Sequence, residues 1–133
     1  MARILVIDDD PCIRHLLRAV LECQGYSVVE AKNGNEGLQR YRAEPTDLVI
    51  TDIQMPVMDG LQMIRELRRA FPTARVIAIS GGERALKLAK TLVQRTLEKP
   101  LCIEELLDAV QHLVSAPEPP GLGHSSDAAP HDV

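Results

Sequence analysis

In this 133-residue chain, chemistry-bearing polar residues recur at one kind of place, directly after a short apolar run. Asp8 and Asp9 follow Arg3–Ile7, Asp52 follows Leu48, Val49, Ile50 and Thr51, Ser80 follows Arg75–Ile79, and Lys99 follows Arg95–Glu98. If those runs are neighbouring strands, their ends gather three carboxylates, a hydroxyl and an amine on one edge. Crowded carboxylates repel one another and raise at least one pKa unless a cation joins them. A hard divalent ion such as Mg2+, taking oxygens from two carboxylates, a backbone carbonyl and water, relieves that repulsion. Such an assembly suits a phosphoryl group. The cation and Lys99 neutralise its charge, the Ser80 hydroxyl donates to one of its oxygens, and Asp52 is the free nucleophile that takes it as an acyl phosphate.

The elements that must position these groups follow from hydrophobic period and turn residues. Leu48, Val49 and Ile50 read as the centre of a strand over Asp47–Thr51, buried on both faces. Asp52 then stands at the strand's carboxyl end, the edge of an open parallel sheet where ligands bind, and is expected to be presented rather than buried. Met55-Pro56 turns the chain away, since proline lacks an N–H and restricts the residue before it, and Asp59-Gly60 makes a tight turn. Upstream, Arg3–Ile7 is the first strand, Asp10 an N-cap and Pro11 the first residue of a helix. Ile13, Leu16, Leu17, Val20 and Leu21 form that helix's apolar face, and Gly25 ends it. Ser27–Ala31 is a second strand, and Asn33-Gly34 precedes a weaker helix to about Ala43.

Downstream, Leu61, Ile64, Leu67 and Arg68 share the spacing of a third helix that stops near Phe71-Pro72. A fourth strand over Arg75–Ile79, a fourth helix over Glu83–Val93, a fifth strand over Arg95–Glu98 and a last helix from Ile103 to Val114 complete the pattern. Strands alternating with helices predict an α/β fold with a doubly wound, five-stranded parallel sheet. Right-handed crossovers with helices on both faces favour the strand order 2-1-3-4-5. Strands one and three are then neighbours roughly 4.8 Å apart, near enough for Asp9 and Asp52 to share one small ion, while Lys99 reaches back over strand four.

Composition narrows the class. Hydrophobic residues make up 45% of the chain and aromatic residues 2%, so the core is aliphatic. The formal charge is −4, of which Glu118, Asp127 and Asp132 contribute −3, leaving −1 for the remainder. A nearly balanced body argues against direct binding to nucleic acid or to a membrane. Cys12, Cys23 and Cys102 lack metal-ligand spacing and are odd in number, which points to reduced thiols and a cytoplasmic location. His15, His112, His124 and His131 show no ligand spacing, and Met55, Met58 and Met63 read as core and loop packing. Residues 1–114 are expected to form one domain, and Ser115–Val133, rich in Pro, Gly, Ser and Ala, a disordered tail.

The ordered set VIDDDP, TDIQMPVMDG, ISGG and LEKP, spread over about Arg3 to Val114, resembles the receiver domain of two-component response regulators, in its single-domain, chemotaxis-regulator-like form. The resemblance implies a flavodoxin-like receiver fold and phosphorylation of Asp52 by a sensor histidine kinase or a histidine phosphotransfer protein. It implies Mg2+ held by Asp9, Asp52 and the Gln54 carbonyl, with Asp8 acting through water, Ser80 and Lys99 on the phosphoryl oxygens, and a cis bond between Lys99 and Pro100. Output would pass to a downstream protein partner through a changed face, and a homodimer is compatible with it. Catalysis would be confined to the protein's own phosphorylation and slow dephosphorylation.

The sequence departs from the family pattern in places. Thr96 stands three residues before the lysine, where the family usually carries Tyr or Phe as a switch coupled to the hydroxyl residue. The stretch from Ser80 to Lys99 is short, and Cys102 replaces a better helix cap. Alternatives are a pseudo-receiver that docks without phosphorylation, or the receiver fragment of a larger regulator or hybrid kinase. A phosphatase with Asp52 as nucleophile would need an acid two residues on, where Gln54 stands.

Overall fold

A computed structural model describes residues 2–54 and 60–116 of the chain. The elements run β1 (Arg3–Ile7), α1 (Pro11–Cys23), β2 (Ser27–Ala31), α2 (Gly34–Ala43), β3 (Leu48–Asp52), α3 (Gly60–Ala70), β4 (Val76–Ser80), α4 (Glu83–Ala89), β5 (Arg95–Glu98) and α5 (Ile103–Ser115). The strands form one parallel sheet in the order β2-β1-β3-β4-β5, as the alternation of strands and helices leads one to expect. The expected turns at Met55-Pro56 and Asp59, and the packing of Met55 and Met58, lie outside the described residues. Of the expected tail, Ser115 belongs to α5, and residues 117–133 lie outside the described residues.

Because successive side chains of a strand point to opposite faces, the sheet carries two separate cores. Ile4, Val6, Leu48, Ile50, Ile77 and Ile79 pack with Leu17 and Leu21 of α1 and Leu106 and Val110 of α5. Leu5, Ile7, Val49, Val76 and Ala78 pack on the other side with Leu38, Met63, Ile64, Leu67 and Ala89 from α2, α3 and α4. Covering both faces explains why β1, β3 and β4 are near-continuous aliphatic runs.

Local chemistry sets several helix ends. The Asp10 side chain accepts from the Cys12 N–H at 2.9 Å, with Pro11 at the first helical position. At the far end of α1, Gly25 adopts φ 93°. There the Gly25 N–H donates to the Glu22 carbonyl and the Tyr26 N–H to the Leu21 carbonyl, the paired bonds of a Schellman motif. Asn33 caps α2 through the Glu36 N–H, whereas Cys102 offers α5 no side-chain cap.

Three expectations need correction. First, β3 and β4 both begin and end one residue later than the apolar runs suggest. Asp52 pairs in register with Ile79 and Ser80 with Glu98, so each polar residue ends its strand rather than following it. Asp47 instead caps the start of β1, its carboxylate accepting from the Arg3 N–H at 2.8 Å.

Second, Asp52 is buried, with 5% of its surface exposed, because the start of the next turn and the Lys99 side chain cover it.

Third, α4 stops at Ala89 instead of Val93. A helix to Val93 would leave Gln94 alone to turn the chain into β5, whereas such connections need about two to six residues. The lost turn is replaced by side chains. Arg68 of α3, 5% exposed, donates to the carbonyls of Leu92, Pro72 and Ala74, and the Gln94 carboxamide pairs with the Val76 N–H and the Ala74 carbonyl.

Candidate functional site

Sheet register builds the site. Ile7 pairs with Thr51, so the next residues, Asp8 and Asp52, leave adjacent strands at the same level. Asp52 pairs with Ile79, placing Ser80 one residue further along β4. Ser80 pairs with Glu98, placing Lys99 one residue further again. Lys99 thus lies two strands across and two residues above Asp52, within reach of a four-carbon stem. Its Nζ donates to Asp52 Oδ2 at 3.1 Å.

The other Asp52 oxygen, Oδ1, accepts from the Gln54 N–H at 3.2 Å, so both oxygens have a donor. Asp8, Asp9 and Asp52 each offer a carboxylate oxygen within 4.8 Å of the others. Asp9 is exposed and Asp8 is buried. The Asp8 N–H donates to the Ala31 carbonyl at 3.1 Å, and one Asp8 oxygen accepts from the Asp10 N–H at 2.9 Å. Burial pushes the Asp8 carboxyl up to about 6; the Asp10 N–H works against the rise and the neighbouring Asp52 charge adds to it. A carboxylate that resists ionisation beside two others is what a cation relieves, so the donor set fits a divalent ion with oxygen ligands.

Ser80 is fully buried, and its Oγ accepts from the Gly82 N–H at 3.0 Å. The Lys99 N–H donates to the Ser80 carbonyl at 3.0 Å, tying the two strand ends, and the Lys99–Pro100 peptide is cis. Gln54 is exposed. Thr96 is half-buried on β5, in register with Ala78, two residues short of the level of Ser80. The structure therefore brings Asp8, Asp9, Asp52 and Lys99 together, with Ser80 beside them, and leaves Thr96 behind the site.

Two contributors escape the hydrophobic pattern. Gly60 donates to the Ile53 carbonyl at 2.7 Å, and a Cβ there would collide with the Asp52 carbonyl oxygen and the Ile53 Cα, so only glycine lets α3 begin against the end of β3. Arg14 of α1 donates through Nη1 to the Asp8 carbonyl at 2.8 Å. The Asp59-Gly60 pair signals the first as a turn. Nothing in helical spacing signals the second, because a polar residue beside the apolar stripe looks like solvated surface.

Residues 4–111 match the model of the response regulator receiver domain, and the chain belongs to that family. Among curated relatives it is 34% identical over 128 residues to the response regulator MprA of Mycolicibacterium vanbaalenii, covering 93% of this chain and 55% of that protein. It is 32% identical over 113 residues to the autoinducer 1 sensor kinase/phosphatase LuxN of Vibrio campbellii, covering 84% of this chain and 13% of that one. The chain thus spans about half of one relative and a small part of the other. Among solved structures, the response regulator TrrA of Thermotoga maritima, crystallised with Mg2+ and BeF, aligns with a TM-score of 0.80 at 34% identity, over 85% of this chain and 99% of that one. Among the described residues, no helix is long and apolar enough to cross a membrane.

Proposed function

We propose that the domain accepts a phosphoryl group on Asp52 from the phosphohistidine of a sensor histidine kinase or a phosphotransfer protein, and signals to a downstream protein by a changed surface. The observation that carries this reading is the convergence of Asp8, Asp9 and Lys99 on one buried carboxylate, Asp52. An Asp52 oxygen forms the new P–O bond as the P–N bond breaks, and the departing imidazole nitrogen keeps the electron pair of the broken bond. Asp9, Asp52 and the Gln54 carbonyl are the candidate ligands of Mg2+, with Asp8 acting through water. When bound, that ion neutralises charge on the phosphoryl oxygens. Lys99 turns from the carboxylate to a phosphoryl oxygen, and the Ser80 hydroxyl donates to another.

A groove of about 450 Å³ opens beside Asp8 and Lys99, lined by Ile13, Leu16, Pro100, Leu101 and Ile103, with Leu16 51% exposed, and suits docking of the donor protein. Leu88, 50% exposed on α4, is a candidate contact for an output side around α4, β5 and α5. The setting is cytoplasmic, and the receiver either acts alone or serves as one unit of a larger regulator. Thr96 favours a second reading, a docking module that never takes phosphate, since no aromatic side chain is present there to swing.

Acetyl phosphate with Mg2+, followed by intact mass, separates the two. One phosphoryl group is expected on wild type and none on Asp52→Asn. Absence of label on wild type, or equal label on the variant, favours the docking module.

A further inference from the structure

The polar cluster behind the site, on α1 and β2, is not explained by phosphoryl chemistry alone. The Arg14 guanidinium forks: Nη1 donates to the Asp8 carbonyl at 2.8 Å and Nε to Glu30 Oε1 at 2.8 Å. Both side chains are largely buried, at 15% and 17% exposure. Glu30 Oε2 accepts from Arg18 at 3.0 Å, Arg18 also pairs with Glu22 at 3.1 Å, and His15 lies 3.5 Å from Glu30. Two arginines face two glutamates, so the charges of these four side chains cancel.

This arrangement resolves a conflict. Among the described residues, Asp8 in the turn that leaves β1 is tethered by the Ala31 carbonyl, the Asp10 N–H and Arg14. An arginine holding that turn brings a positive charge near a place meant for a cation, and like charges in a low-dielectric setting oppose each other. A carboxylate on the same guanidinium removes that opposition while keeping its planar fork aimed.

We propose that Arg14 is a positioning residue for the Asp8–Asp9 arm of the metal site, and that Glu30 both aims it and cancels the charge that would repel a divalent cation. The inference rests on the metal-dependent reading above and deepens it. Outer partners of metal sites typically carry 10- to 100-fold of affinity.

The test is Mn2+ binding followed by electron paramagnetic resonance, with Mg2+ as competitor, on the full chain and on Arg14→Gln, Arg14→Lys and Glu30→Gln, each checked for folding by circular dichroism in EDTA. Arg14→Lys keeps the charge but cannot span both acceptors, so it is expected to bind about tenfold more weakly at any ionic strength; Arg14→Gln loses the fork and the charge together, and its loss of about tenfold is expected near 1 M salt, where the charge change counts least. Glu30→Gln keeps an acceptor for Arg14 and uncovers its charge. It is expected to bind about tenfold more weakly at low salt and to regain part of that loss near 1 M salt, since a largely buried charge is screened less than an exposed one.

Wild-type affinity in all three folded variants overturns the proposal, and a salt-independent loss in Glu30→Gln overturns the charge-cancelling role. Should the Arg14 variants fail to fold, the salt dependence of Glu30→Gln alone decides. A wild type that binds neither ion instead refutes the metal-site reading itself.

Discussion

Asp8 shows how a single side chain can be made unstable by its place in a fold. Its carboxyl rises from 3.8 to about 6, chiefly through burial, so the folded state holds that proton more tightly than the unfolded chain does. The folded state therefore binds the extra proton between those two values, and its stability falls as pH rises through that window. That rise corresponds to roughly 3 kcal/mol, fully present at pH 7 as a penalty and absent only below about pH 3, where the carboxyl is protonated in both states. Without divalent cations, Asp8→Asn is expected to be more stable than wild type at pH 7, with the difference shrinking below pH 6 and vanishing near pH 3. Urea unfolding in EDTA across that range checks it, and a difference independent of pH would remove Asp8 as its source. Added Mg2+ should narrow the gap, because the ion favours the ionised carboxylate.

At the scale of elements, the distinctive feature is the shortened α4 and the polar bracing that stands in for its last turn. Burial holds the Arg68 pKa below its ordinary value, and the nearby Tyr41 opposes the shift. Its described hydrogen-bond partners are backbone carbonyls of the segments on either side of β4, from Pro72, Ala74 and Leu92. Arg68→Leu would take this donor from the Pro72 and Leu92 carbonyls, while the Ala74 carbonyl keeps the Gln94 carboxamide, at about 1 to 3 kcal/mol for each one that water cannot reach. A loss of about 3 kcal/mol or more in thermal or urea unfolding is expected. Acetyl phosphate labelling of the remaining folded protein should be unchanged, because Arg68 acts at the end of the sheet opposite Asp52. Reduced labelling would mean that the bracing also shapes the site.

For the whole molecule, the Lys99 backbone N–H ties β5 to Ser80 and its Nζ sits on Asp52, so under the proposed function Lys99 would link the acceptor to the output surface. Lys99→Ala is expected to take phosphate yet transmit it badly. Beryllofluoride-dependent capture of a downstream partner should fall several-fold while the Asp52 label persists. Capture equal to wild type would show that the signal leaves by another path, such as Ser80 and the start of α4.

Sequence alone determined the architecture. Short aliphatic runs alternating with amphipathic helices leave a doubly wound parallel sheet as the way to bury both strand faces, and its strand order follows from right-handed crossovers. The meeting of Asp8, Asp9, Asp52 and Lys99 at one edge is a consequence of that order, since each stands at the carboxyl end of a strand. Tertiary structure decided what depends on which atoms lie opposite. Asp52 and Ser80 end their strands because ladder partners extend one residue past the apolar runs. Asp52 is covered because Lys99 folds back on it. Helix α4 ends early because β5 must begin at Arg95, and Arg14 reaches the Asp8 carbonyl across a gap that helical periodicity does not encode. Periodicity reports which face of an element is apolar, whereas register, reach and burial are set by neighbours distant in the chain.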